Sequence, residues 1–422
     1  MRYLYSIGIS VYYLAAAAAG LVNSKARLFV SGRRKLFKTL AGRLEGHGDR
    51  ETVWFHCSSV GEFEQARPLI ERLRKESPDK FILITFFSPS GYVLRKDFEY
   101  ADAVMYLPMD TVRNVRRFLD MVRPATAIFV KYEFWYNYLT ELKKRGVPTY
   151  IISAIFRKNQ IFFKWYGSFM RRVLRCYTML FVQNEESRRL LARMGIDNVV
   201  IAGDTRFDRV LAISRDNTAR NDILDAFTVG RKTWVAGSTW EGDEQIISRC
   251  LRRLPECGLI LVPHEVGPSR MACIRKEFDG YTMLFYSECA GKDPAQYSRA
   301  AAEADVLVVD CVGILPKIYK YGSFAYVGGG FSSAGIHNIL EAAIYGCPVV
   351  FGPHYSKFQE AKDLIALGGA VSVQDSDGLH DVLERWLLSS ETLERLSLIC
   401  TQYVESHLGA SDKIVEYIFK NR

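Results

Sequence analysis

The sequence predicts an α/β protein of two successive doubly wound parallel sheets with a cleft between them, and three observations lead there. Short apolar runs alternate with helical patterns along nearly the whole chain, which places strands in a parallel sheet and helices on both of its faces. The length of 422 residues is too great for one ordinary domain and suits two of about 200. The alternation fades only over residues 204–227, where ISRDNTARND reads as a connection. Charge divides at the same place. Residues 1–210 carry 35 Lys+Arg against 20 Asp+Glu, and the remainder carries 21 against 27. A basic first half and a mildly acidic second half place an anionic partner on the first half only. Nucleic acid is not expected, since no helix-turn-helix, zinc-finger or RNP-type pattern is present. The nine cysteines are scattered and never in CxxC spacing, which excludes a disulfide framework or a zinc site and points to a reducing compartment.

From the N-terminus, residues 3–22 carry no charge and only Ser6 and Ser10 as polar side chains. Twenty apolar residues just suffice to span a bilayer. Lys25, Arg27, Arg33, Arg34, Lys35, Lys38 and Arg43 follow directly, against Arg2 alone before. Positive flanks stay cytoplasmic, which opposes reading the alanine run Ala15 to Ala19 as a signal-peptide cleavage region. The segment is expected as an uncleaved anchor, spanning or lying at the interface, with a basic collar for anionic headgroups; a buried core helix is the plain alternative. Residues 156–175 (FRKNQIFFKWYGSFMRRVLR) mix aromatics with Arg and Lys. That mixture suits a membrane-surface helix or a phosphorylated-lipid pocket as well as an ordinary amphipathic helix.

In the first domain, strands are expected at 53–57, 81–86, 103–106, 127–130, 149–153 and 180–183. The strand VWFHCS runs into SVGE, so the tight turn Ser59, Val60, Gly61 puts the Glu62 carboxylate at a strand's carboxyl end. There it opens a helix over 62–75, and a general base belongs in such a place. The helix N-terminus is expected to favour its ionised form. The loop KYEFWYN carries Glu133 among Phe134 and Trp135, where an unpaired carboxylate would be costly to bury.

In the second domain, strands are expected at 234–236, 259–262, 283–286, 306–309, 323–327 and 349–351. Four loops follow strand ends, where ligands of such sheets bind. GSTWEGDE offers Ser238 and Thr239 as caps or phosphate contacts. VPHEVGPSR supplies His264 and Arg270. DCVGILPKIY places Gly313 for close backbone approach. The most informative is AYVGGGFSSAGIHNILEAA, a glycine turn (Gly328, Gly329, Gly330) before a helix expected to open near Ile336. A glycine-rich loop feeding a helix N-terminus is an anion site. His337, Asn338 and Glu341 join it, with Glu341 one helical turn beyond His337 on the same face. Phosphate at the loop and ribose hydroxyls on the Glu describe a nucleotide. GxGxxG spacing and a following acidic strand end are missing, which argues against NAD. No DxD pair occurs in these loops, so no metal is expected, and no cofactor either.

Together SSVGE, KYEFWYN, GDTRFDRV, GSTWEGDE, the His264/Arg270 loop, DCVGILPKIY and GGGFSSAGIHNILEAA…GPHYSKFQEA resemble the 3-deoxy-D-manno-oct-2-ulosonic acid (Kdo) transferases of lipopolysaccharide assembly. The resemblance runs in order from the N-terminal segment almost to the C-terminus. It implies the GT-B fold, two Rossmann-like domains facing across a cleft with an N-terminal membrane-anchor helix. The corresponding domains are an anchor over 1–24, an acceptor-binding domain over 25–212, a linker over 213–229, a CMP-Kdo-binding domain over 230–405 and a C-terminal helix over 406–422. It further implies CMP-Kdo as donor, a lipid A precursor as acceptor, inverting transfer, and attachment to the cytoplasmic face of the inner membrane, with its anionic lipid surface as a further partner. Glu62 would be the general base, with Ser59, Gly61 and Glu133 on the acceptor side. Glu341 would hold the CMP ribose, with Gly330, Ser332, Ser333, Gly335 and Asn338 near the phosphate, and Ser238, Thr239, His264, Arg270 and Gly313 completing the donor site. Two departures stand out: Pro263 is followed by His264 with no intervening Arg, and the loop has GGG where GGS is usual. A GT-B enzyme of UDP-sugars (transferase or epimerase) would share the second-domain loops but not need the anchor. A membrane-surface binding protein would explain the anchor but not the loops.

Overall fold

The structure, a computed structural model, describes residues 2–420 and divides into two compact units. One comprises the chain up to Arg209 together with the segment from Leu408 onward; the other is Val210–His407. The division falls inside the helix Thr205–Asp216, and residues 213–229, expected as connection, hold the end of that helix and the helix Asp222–Thr228.

The first unit begins with three helices, α1 (Arg2–Ala19), α2 (Ser24–Ser31) and α3 (Leu36–Leu44). Seven parallel strands follow: β1 (Thr52–Cys57), β2 (Phe81–Phe86), β3 (Ala103–Tyr106), β4 (Thr126–Val130), β5 (Thr149–Ala154), β6 (Met179–Val182) and β7 (Val199–Ile201). Their order is β3-β2-β1-β4-β5-β6-β7. Every residue of β1 and β2 is buried. Strands covered on both faces read as continuous apolar runs, which is why the sequence showed them clearly. On one face Trp54 packs edge-on against Phe118 and Phe129. On the other, Phe55, Phe63 and Ile84 meet Ile414, Val415 and Ile418 of the returning C-terminal segment. Asp208 ties that return down by accepting from the backbone N–H of Gly409 (2.7 Å) and Ser411 (2.6 Å).

α1 lies against this unit by polar hooks as well as by packing. The Tyr5 hydroxyl donates to Asp110 (2.7 Å), and the Tyr5 ring packs on Tyr136 and Phe169. Burial, with Asp110 beside it, pushes the Tyr5 hydroxyl far above its ordinary value. The remaining face carries Tyr3, Leu4, Ile7, Val11 and Leu14, each at least half exposed. Positions 4, 7, 11 and 14 form one helical stripe, so a row of apolar side chains points outward. Eighteen residues make a helix of about 27 Å, shorter than the roughly 30 Å of a bilayer core. Among the described residues no helix is long and apolar enough to cross a membrane.

Asp110 also accepts from the backbone N–H of Asn137 (3.2 Å) and Tyr138 (3.0 Å) and is almost fully buried. Replacing Asp110 by Ala strands three donors and is expected to cost about 3 kcal/mol. A urea titration reads that loss, and faster proteolysis at Gly20 to Asn23 reports the loosened α1.

The second unit holds β8 (Thr233–Thr239), β9 (Gly258–Pro263), β10 (Met283–Phe285), β11 (Val306–Val308), β12 (Phe324–Val327), β13 (Val349–Phe351) and β14 (Ala370–Ser372). All are parallel, in the order β10-β11-β9-β8-β12-β13-β14. In both sheets the winding reverses beside the first strand, between β1 and β4 and between β8 and β12. Such switch points open a crevice at the strands' carboxyl ends, where ligands of these folds bind.

Candidate active site

At the first switch point, β1 is followed by Ser58 and Ser59, and the helix α4 (Val60–Glu76) begins at once. Glu62 sits in its first turn. One carboxylate oxygen accepts from both the backbone N–H (2.7 Å) and the hydroxyl (2.8 Å) of Ser59, which fixes its orientation. Gly61 is exposed and leaves the side chain's flank open. The electrostatics differ from the sequence expectation. The helix N-terminus does not win: burial, with a smaller contribution from Glu133, holds the Glu62 carboxyl above its ordinary value. The Ser59 hydrogen bonds and Lys131 only partly offset this. A carboxylate left basic in this way is better suited to accept a proton.

Glu133, after β4, is buried and not unpaired. Its carboxylate lies 3.0 Å from His56 Nε2 and accepts from the Trp135 indole, while the Tyr177 hydroxyl donates to its backbone carbonyl. His56 is a residue the sequence reading passed over. It is hidden inside β1, and the only signal was an ionisable side chain in an otherwise apolar strand.

At the second switch point, the loop after β8 and the glycine loop after β12 are joined by a buried carboxylate. Asp243 accepts from the backbone N–H of Trp240 (2.9 Å), the backbone N–H of Gly329 (2.9 Å) and the Tyr326 hydroxyl (2.8 Å). Asp243 too was overlooked, although GSTWEGDE contains it. Gly330 packs on the Gly352 backbone so closely that a Cβ would stand 2.5 Å from its nitrogen. Ser238, one residue before the end of β8, has a left-handed backbone (φ 56°). Thr239 is fully buried, and its hydroxyl donates to Glu244 (2.8 Å).

Three rings stack above these strand ends. His264 lies 4.6 Å from Trp240 on one side and 4.6 Å from His337 on the other. The Trp240 indole donates to His337 Nε2 (3.2 Å). Burial and the His264 ring push the His337 imidazole down to about 4, so it is neutral and accepts that bond.

Several expectations are corrected here. The helix expected from Ile336 does not form; His337 is in the loop, its N–H spent on the Gly328 carbonyl (3.0 Å). The helix is a single turn, Leu340–Ala343, and Glu341 stands in it without sharing a helical face with His337. A one-turn helix has little dipole to offer a phosphate. Asn338 instead bridges, donating to Glu341 Oε1 (3.1 Å) and accepting from the Leu340 N–H (3.3 Å). Arg270 is committed to Glu244 in a buried ion pair. Gly313 has a positive φ of 91° and no protein neighbour near its Cβ position, so backbone conformation alone already favours glycine there. The Ser332 hydroxyl turns back to the Gly329 carbonyl (2.9 Å). Ser333 is exposed, with the Lys357 ammonium on its carbonyl (3.3 Å). Gly335 is buried against Phe358.

Two seven-stranded parallel sheets, each with a polar cluster at its switch point, define the GT-B fold. The architecture matches the UDP-GlcNAc 2-epimerase of Neisseria meningitidis with a TM-score of 0.60 at 15% identity, covering 88% of this chain and 100% of that one. Residues 32–209 match the family model described as 3-deoxy-D-manno-octulosonic-acid transferase. Curated 3-deoxy-D-manno-octulosonic acid transferases align along most of the chain. That of Aquifex aeolicus is 26% identical over 324 residues, covering 75% of this chain and 80% of its own length. That of Haemophilus influenzae is 26% identical over 381 residues, covering 87% and 86%. The family model and the curated relatives together support a Kdo transferase, a glycosyltransferase enzyme.

Proposed function

We propose that this chain transfers Kdo from CMP-Kdo to a lipid A precursor in lipopolysaccharide assembly, with inversion, using Glu62 as general base. The observation that carries this reading is the Glu62 carboxylate itself. It is fixed by Ser59 at the carboxyl end of β1, with its pKa raised. In a single displacement the acceptor hydroxyl gives its proton to Glu62 as its oxygen attacks the anomeric carbon, and the bond to the CMP phosphate breaks. The second unit holds the donor. Glu341, oriented by Asn338, takes the ribose hydroxyls, and the loop from Gly330 to Gly335 with Ser238 and Thr239 takes the phosphate. The Trp240, His264 and His337 stack supplies flat ring surface beside it. Arg270 acts through Glu244 to hold this wall.

The outward stripe of α1, with Arg27, Arg34 and Lys35 nearby in sequence, supports seating at the cytoplasmic face of the inner membrane. An amphipathic helix lying in the interface needs no span, and basic residues favour anionic headgroups.

CMP at a hundred times its Kd is expected to stabilise the protein by about 2.7 kcal/mol, read as a rise in melting temperature. UDP and NAD are expected to leave it unchanged, and Glu341→Ala is expected to abolish the CMP effect. A shift with UDP alone overturns the donor assignment.

A further inference from the structure

Of residues 156–175, only Ser168–Leu174 forms an α-helix, and the aromatic side chains of the stretch divide between two environments. Phe162 and Phe163 turn inward onto Phe156, and Phe162 also packs edge-on against Phe134 at 4.7 Å. Trp165 and Tyr166 turn outward, 90% and 56% exposed, and Ile161 in the same turn is exposed as well. The turn that presents them is fixed. The Gly167 N–H donates to the Lys164 carbonyl (2.9 Å), and a Cβ at Gly167 would overlap the Ile161 carbonyl oxygen. Arg171 clamps the turn by donating to the Phe162 and Lys164 carbonyls, each at 3.0 Å. The charge around it is one-sided. Residues 142–184 hold nine Lys and Arg and no Asp or Glu. Among the described residues, Arg145 is the one of these paired with carboxylates. Arg157, Arg171 and Arg175 donate to the Tyr132 hydroxyl and to the Phe162, Lys164 and Met194 carbonyls, bonds that leave their charge uncancelled.

We infer that the turn over residues 161–167 is a second membrane contact, seating Trp165 and Tyr166 among the headgroups of an anionic bilayer with the basic residues on lipid phosphates. The inference deepens the membrane seating proposed for α1 and rests on this unit lying at a bilayer. Trp and Tyr belong at headgroup depth, since the ring is apolar while its N–H or O–H finds water and phosphate. A surrounding excess of cations favours an anionic interface over a neutral one. A protein partner fits less well: three exposed apolar side chains fall far short of the roughly 800 Å² that each side of a stable interface buries. The turn also continues the α1 surface. Phe169 stacks on Tyr136 at 4.5 Å and meets Tyr5 of α1 at 6.1 Å, near the end of α1 where Tyr3 and Leu4 are exposed. A lone helix on a membrane can roll about its axis. A second contact beside it fixes how the unit meets the lipid, and the two bind more tightly together than either alone.

The test is co-sedimentation of the full-length protein with vesicles of phosphatidylcholine, alone or mixed with phosphatidylglycerol. Binding is expected to the mixed vesicles and to weaken as salt is raised. Trp165→Ala is expected to lower that binding roughly tenfold, and Trp165→Phe to restore most of it. Neither is expected to move the melting temperature, because the ring is exposed in the free protein. With brominated acyl chains in the mixed vesicles, Trp fluorescence of the wild type is expected to fall, and most of that quenching to vanish in Trp165→Phe. Unchanged vesicle binding by Trp165→Ala overturns the inference, as do undiminished quenching in Trp165→Phe and equal binding to phosphatidylcholine alone. The double variant Leu4→Ser, Ile7→Ser reads the α1 seating separately. A loss in Trp165→Ala with none in that double variant removes α1 from the membrane contact and keeps the turn. A wild type that binds neither vesicle overturns both.

Discussion

Glu62→Gln is expected to lower kcat by roughly 10²–10⁴-fold, the contribution of a positioned general base, and to leave CMP binding intact. Gln can still accept from Ser59, so the turn between β1 and α4 keeps its hydrogen bonds. The effect on stability runs opposite to that on activity. The carboxyl pKa is higher in the folded protein than its ordinary 4.5, so the native state holds the proton more tightly. Stability therefore declines as pH rises from the unfolded value through the folded one, and the ionised carboxylate costs stability at neutral pH. Replacing it by Gln removes that cost. Melting at or slightly above the wild-type temperature, with turnover lost, is the combined result to look for in calorimetry and a rate assay. A variant that melts far below wild type would place Glu62 among structural caps instead.

Gly330→Ala has the other large effect, on stability. The added methyl carbon would stand 2.5 Å from the Gly352 nitrogen and 2.6 Å from its Cα, and neither backbone segment can yield like a flexible side chain. His354 donates its N–H to the Gly330 carbonyl (2.9 Å), so parting the strands' ends breaks that bond too. A cost of about 3 kcal/mol follows from overpacking of this kind. CMP affinity falls roughly tenfold or more, since 1.4 kcal/mol of misplacement suffices for that. Denaturant titration and CMP titration of the same sample read both. A Gly330→Ala protein with unchanged stability would show that the β12 and β13 loops do not pack as described.

The strands were legible because burial on both faces writes them as unbroken apolar runs, FILITF for β2 being the plainest. β7 (VVI) and β14 (AVS) escaped notice; both are three-residue strands at a sheet edge and only partly buried. The site was legible as loops but not as electrostatics. Glu62 could be placed at a strand end from SVGE, yet its raised pKa depends on burial and on Glu133, 71 positions away in sequence. Arg270 read as a donor contact, and its pairing with Glu244 was hidden because that partner lies on another helix. The helix at Ile336 was inferred from ILEAA, whereas the long-range bond from the His337 N–H to the Gly328 carbonyl keeps the chain from winding there. α1 read as an anchor, spanning or lying at the interface, because its apolar content hides which face docks; Tyr5 on Asp110 shows the docked face only in three dimensions.

The most direct measurement incubates the purified protein with CMP-Kdo and tetra-acylated lipid A precursor and follows the acceptor by mass spectrometry. The predicted result is an acceptor heavier by one or more Kdo units, with one CMP released per unit and none from Glu62→Gln. CMP release without any gain in acceptor mass, or sugar transfer from a UDP-sugar in place of CMP-Kdo, would contradict the account.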